Sequence, residues 1–172
     1  SLKKLTLFFS SLPQNPHPQQ YYSFYLPIAC GMLVAGTPPG DKAYDLAKEI
    51  CLEMGRYFQI QDDVLDAFGD PAVIGKVGTD IQDNKCSWLV VQAMKLAQTP
   101  EQRKILEDNY GKHDDASVEK VKALYRELDL ESVFKKYEQA SHDELMAKVE
   151  AQDALPAGVF TAMLSKIYKR SK

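Results

Sequence analysis

Cysteine is scarce in this 172-residue chain. Cys30, Cys51 and Cys86 are odd in number, widely spaced and without a CxxC pair, which argues against a disulfide framework or a zinc site and fits a reducing compartment. An excess of charge is also missing. Lysine plus arginine total 21 against 24 aspartates and glutamates, a net charge of -3, so there is no electrostatic case for binding nucleic acid or an acidic membrane. No window alternates apolar and polar residues with β-branched enrichment, and no internal repeat is present, so the expected fold class is all-α. The apolar run YYSFYLPIACGMLVAG (21–36) is too short and hydroxyl-rich for a good membrane span, and Pro27 interrupts it. With 45% hydrophobic residues and little net charge the chain is not disordered. A domain of this length buries about 70% of its unfolded surface, so one core is the default expectation and needs no metal or disulfide staple. The chain begins with serine, which leads to the expectation of a processed product or a fragment.

Residues 1–20 read differently from the rest. Lys3 and Lys4 precede the short apolar run LTLFFSSL, which superficially copies a secretory signal, but no small-residue cleavage site follows. The stretch PQNPHPQQ (13–20) reads as a linker or extended segment. From Tyr21 the pattern becomes helical. Residues 21–36 are apolar almost all round, as expected of a helix buried inside a bundle and kinked at Pro27. TPPG (37–40) breaks it, and Asp41 is the expected N-cap of a long helix to about Phe68. Residues 72–83 read as loop, and a helix is expected over 85–97. Thr99, Pro100 and Gln102 then form a capping-box signature, and the helix they open should stop at Gly111. Further helices are expected over 117–128, 130–150 and 156–170.

The chemistry concentrates in QIQDDVLD (59–66). At 100° per residue, Gln59, Asp62, Asp63 and Asp66 share an arc of about 100°. Like charges at this spacing, close to the negative end of the helix dipole, lower local stability, and no lysine or arginine stands at i+4 to offset them. Something positive should therefore complete the arrangement. Oxygen-only ligands favour a hard cation, above all Mg2+, which is usually held by one or two carboxylates plus substrate phosphates. The alternative, an acidic solvent face, fits poorly with Phe58, Ile60, Val64, Leu65 and Phe68 around it. The next loop carries Lys76 between Gly75 and Gly78, then Asp80, Asp83 and Lys85. Glycines let a backbone approach a bulky anion, and lysine acts as a point charge for phosphate, although the spacing is not that of a Walker loop. Asp80 is read as a further metal or water ligand, or as half of a surface pair with Lys85.

FQIQDDVLDAFGDP (58–71) followed by GKVGTDIQDNKCSW (75–88) resembles the second aspartate-rich region of eukaryotic farnesyl diphosphate synthases, trans-prenyltransferases of the polyprenyl synthetase family. YYSFYLP (21–27), KVKALYRELDLESVFKKYE (120–138) and KIYKRSK (166–172) also match, so the resemblance runs from Tyr21 to the C-terminus. It implies an all-helical bundle of the isoprenoid synthase type, of which residues 21–172 supply the C-terminal half and residues 1–20 are a non-matching segment. It also implies head-to-tail joining of an allylic diphosphate, dimethylallyl or geranyl, to isopentenyl diphosphate, a step toward sterol precursors. Magnesium ions would bridge the allylic diphosphate to two aspartate-rich helices. Carried over by position, Asp62 is the main metal ligand, with Asp63, Asp66 and Asp80 supporting. Gln59, Lys76 and Lys85 contact the allylic diphosphate, and Lys76 is the catalytic residue. Lys169, Arg170 and Lys172 resemble a tail that closes near the isopentenyl site, and equally suit an exposed basic helix end. A cytoplasmic homodimer is the family expectation.

The departures from the family pattern are specific. DDxxD occurs once, whereas the family uses two such motifs facing each other, and Pro18 and Gln19 stand where the family has a diphosphate-binding lysine and threonine. The expectation is therefore half of a larger bundle, with little or no turnover by this chain alone. The alternatives are a truncated relative that binds magnesium-diphosphate or dimerises, and another class of isoprenoid synthase. A half bundle should also expose apolar faces on residues 21–34 and on the carboxylate helix, favouring association.

Overall fold

The computed structural model describes residues 20–170. The signal-like start, residues 13–19 of the proline-rich stretch, with Pro18 and Gln19, and Lys172 lie outside the described residues, whereas Gln20, expected in the linker, is helical. Every regular element among the described residues is helical. A π-helical turn, Tyr21–Tyr25, passes directly into α1 (Leu26–Val34). Then follow α2 (Lys42–Phe68), α3 (Pro71–Ile74), α4 (Trp88–Leu96), α5 (Pro100–Asn109), α6 (Asp115–Glu127), α7 (Leu130–Glu150) and α8 (Ala157–Ile167). They divide into two compact units, one of residues 20–59 with 137–170 and one of residues 60–136. The long helices α2 and α7 each contribute to both.

In the first unit, Ala43, Ala47, Ile50, Met54 and Tyr57 recur every three or four residues along α2 and are all buried. They form one core with Leu145 and Val149 of α7 and Phe160, Leu164 and Ile167 of α8. Asp41 begins α2 as expected, its Oδ1 accepting the Ala43 N–H at 2.8 Å. The Tyr57 hydroxyl donates to Glu138 Oε1 at 2.9 Å within the core. Burial, and then that carboxylate, push the Tyr57 phenol well above its ordinary value, so it stays a donor.

The expected burial of the helix over 21–36 is corrected here. Only Phe24 and Met32 are buried, while Tyr22, Leu26, Leu33 and Val34 are 61%, 52%, 52% and 90% exposed. The apolar faces expected to be open on these residues are open. Pro27 stands in the first turn of α1, directly after the π-helical turn, where Leu26 N–H reaches back to Tyr21 O.

The second unit packs Val64 and Ala67 of α2 with Ile81, Leu89, Ala93, Leu106, Val121, Leu124, Tyr125 and Leu130. Trp88 meets Phe134 edge to face at 6.1 Å. The capping box of α5 is formed, with Thr99 Oγ1 accepting the Gln102 N–H at 3.2 Å and Gln102 Oε1 accepting the Thr99 N–H at 3.3 Å. Gly111, at φ +79°, follows the end of α5.

Several boundaries differ from expectation: the helix expected over 117–128 is Asp115–Glu127, opened by Asp114 as its cap, and three others have equally local causes. Part of the loop 72–83 is the short helix α3, because Asp70 caps it by accepting the Ala72 N–H at 2.9 Å. α4 starts at Trp88 and not at 85, since Ser87 is its cap. α8 ends at Ile167, and Tyr168 is already extended.

Candidate functional site

Asp63 and Asp66 lie on the last turns of α2, and the chain then turns through α3 into the loop carrying Asp80 and Lys85. Asp66 captures that loop: its two carboxylate oxygens accept the N–H groups of Thr79 at 3.3 Å and Asp80 at 2.9 Å. The approach is so close that a Cβ on Gly78 would stand 1.8 Å from the Asp66 carbonyl oxygen. Gly78 therefore admits the neighbouring helix backbone, a different use from the expected approach to a bulky anion. Gly75 has another purpose: at φ +81° it terminates α3, donating its N–H to Pro71 O at 2.9 Å.

Lys85 supplies the positive charge that the carboxylate face lacked locally. Its Nζ lies 2.6 Å from Asp80 Oδ2 and 2.9 Å from Asp63 Oδ1, the second contact an ion pair without hydrogen-bond alignment. Asp63 is 5% exposed. Its Oδ2 accepts the Trp88 N–H at 2.6 Å, at the positive end of α4, where a carboxylate is favoured. Burial nevertheless raises the pKa of Asp63, against the lowering pull of Trp88 and Lys85, and burial does the same to Asp80. For Lys85 desolvation pulls the other way, but the two carboxylates win and hold its ammonium well above the ordinary value. The unit is thus a lysine clasped between two acids at the junction of α2, the loop and α4.

The structure brings Asp63, Asp66, Asp80 and Lys85 together. Asp62 is half-buried on the same stretch of α2. Lys76 is exposed just beyond α3. Gln59 belongs to the other unit, where Gln20 Nε2 approaches its Oε1 at 3.5 Å. Also in that unit, the Arg170 guanidinium lies 3.7 Å above the Phe58 ring and donates to Phe58 O at 3.4 Å, so the chain folds back on α2 there. Two groups were invisible in the sequence reading: the Trp88 N–H, and Tyr110, whose hydroxyl donates to Lys85 O at 2.6 Å. The spacing of the aspartates marks a helix face, but a contact to a residue 25 positions on has no local signal.

Among the described residues no group of three or more His, Cys, Asp or Glu side chains is arranged to hold a metal ion. The hard oxygen donors of Asp62 and its neighbours still suit Mg2+ in the mode where one or two carboxylates, waters and substrate phosphates share the ion. They do not suit an all-protein cage, because Asp66 is engaged by two backbone donors and Asp63 and Asp80 by Lys85.

Residues 20–128 match the family model described as polyprenyl synthetase. Among curated proteins the chain is 60% identical over 153 residues to farnesyl pyrophosphate synthase of Rattus norvegicus, covering 88% of this chain and 43% of that one. It is 58% identical to the Homo sapiens farnesyl pyrophosphate synthase, covering 88% and 36%. Among solved structures it superposes on T. brucei farnesyl diphosphate synthase complexed with risedronate with a TM-score of 0.82 at 38% identity, covering 89% of this chain and 43% of that one. The chain thus spans less than half the length of these relatives. The family match runs from Gln20 through the aspartate face, the loop it captures and Lys85, and the chain belongs to the polyprenyl synthetase family.

Proposed function

We propose that residues 59–88 form one wall of the magnesium-diphosphate site of a farnesyl diphosphate synthase-type prenyltransferase, joining isopentenyl diphosphate to dimethylallyl or geranyl diphosphate. The observation that carries this reading is Lys85 seated between Asp63 and Asp80 beside Asp62, an arrangement of fixed charges that matches a metal-bridged diphosphate. Bound magnesium would supply positive charge to stabilise the departing diphosphate. Asp62 is the residue to hold it directly. Asp63 and Asp80 orient Lys85, Asp66 fixes the loop, and Lys76 and Lys85 offer ammonium groups to phosphate oxygens as charge develops in the transition state. Gln59 is assigned to the same diphosphate. Cytoplasmic location and homodimer formation belong to the same reading. Among the described residues no helix is long and apolar enough to cross a membrane.

The single DDxxD motif favours a second reading for the 172 residues alone, a module that binds magnesium-diphosphate without turning it over. Purified chain incubated with geranyl and isopentenyl diphosphates and magnesium separates the two. Little or no farnesyl diphosphate is expected, and robust formation would sink the binding-only reading. Calorimetric titration with magnesium and risedronate should still show binding, and a flat titration would remove the diphosphate site itself.

A further inference from the structure

The loop that presents Asp80 and Lys85 is held at both ends by a short segment outside the aspartate motif. Gly111 donates its N–H to Ile81 O at 2.9 Å, and the Tyr110 hydroxyl donates to Lys85 O at 2.6 Å. Gly111 sits at φ +79°, and a Cβ there would lie 3.1 Å from Asn84 Cβ, so the two backbones are in close register. Asn84 itself is at φ 52°, a left-handed conformation that asparagine adopts more readily than most residues. Inside the loop, Lys85 N–H donates to Asp80 O at 3.0 Å and Ser87 N–H to Lys85 O at 2.8 Å. The Lys85 carbonyl thus joins the loop to the cap of α4, and Tyr110 grips that carbonyl.

We propose that Tyr110 is a positioning residue: by anchoring the Lys85 carbonyl it sets the Lys85 ammonium between Asp63 and Asp80, where the diphosphate site requires it. The binding part of this proposal rests on the functional reading above. Ser87 Oγ lies 3.5 Å from the Tyr110 hydroxyl, and the buried Tyr125 hydroxyl is in electrostatic reach of it. Burial pushes the Tyr110 phenol up to about 12, so the group is a committed donor near neutrality. A phenylalanine keeps the ring packed and deletes only the donor.

The test compares the chain with Tyr110→Phe and Lys85→Ala. Hydrogen exchange at the Lys85 and Trp88 amides, with α8 amides as the internal control, reports the loop; calorimetry with magnesium and inorganic pyrophosphate reports the site. Tyr110→Phe should speed exchange at the two loop amides by about fivefold, leave α8 unchanged, and weaken pyrophosphate binding by a similar factor, the scale of one net hydrogen bond. Unchanged loop exchange would overturn the proposal. So would full-strength pyrophosphate binding by Tyr110→Phe when Lys85→Ala has lost it. If neither the chain nor Lys85→Ala binds pyrophosphate, the diphosphate reading fails, and the loop exchange alone decides whether Tyr110 positions Lys85.

Discussion

Asp62, Asp63 and Asp66 share one stretch of α2, yet their surroundings give them different roles. Asp66 spends both oxygens on the backbone donors of Thr79 and Asp80, and Asp63 is buried between the Trp88 N–H and Lys85. Asp62 is the residue proposed above to hold the metal, by its position in the motif. Two substitutions separate these roles. Asp62→Ala should weaken binding of magnesium and pyrophosphate at least tenfold while moving the thermal midpoint little. Asp66→Asn should instead lower stability, by about 1–3 kcal/mol, because an amide NH2 cannot accept from the loop donors, and should weaken binding less than Asp62→Ala does, through release of the loop that presents Lys85. Equal stability losses in the two variants, read by denaturant titration, would remove the distinction. Spacing alone placed the three carboxylates on one face, but the use of Asp63 as a clasp and Asp66 as a loop anchor depended on neighbours that arrive 13 to 25 residues later.

At the scale of elements, the sequence reading was most accurate where the signals are local. The capping box of α5 and the Asp41 cap of α2 act through neighbours within four residues, and each stands where it was expected. The misread elements were those whose fate depends on distant packing. Residues 21–34 are apolar all round, which a sequence reads as burial, but burial needs a partner surface. A long-range pin joins α7 to α2: Lys148 Nζ donates to Glu49 Oε1 at 2.7 Å and also to Glu53. Desolvation lowers the Lys148 pKa, but the two glutamates outweigh it and raise it. A lysine with a raised folded-state pKa contributes stability that is full below its unfolded value, near 10.4, and fades as pH climbs through the folded one. As pH rises above the ordinary lysine value, about 10.4, the parent chain should therefore lose thermal stability more steeply than Lys148→Met. Parallel curves across that window would show that the pin contributes nothing.

For the molecule as a whole, the exposed apolar side chains of the π-turn and α1 set the behaviour in solution. Val34 at 90% and Tyr22 at 61% exposure, with Leu26 and Leu33, make a patch of the kind that mediates association. Sedimentation velocity should show concentration-dependent association of the chain. The double substitution Leu33→Glu with Val34→Glu should reduce it without lowering the melting temperature, since neither side chain is in the core. A monomer at all concentrations would contradict this. Composition and periodicity by themselves determined an all-helical chain, its caps and the aspartate face, because helix period and capping are written in residues three or four apart. The resemblance carried by FQIQDDVLDAFGDP identified the family. Only the tertiary structure decided that Lys85 completes the aspartate face, that Gly78 makes room for α2, that Tyr110 holds the loop and that α1 lies open. These depend on which surfaces meet across long stretches of chain, and a burial or a hydrogen bond exists only once both partners are in place.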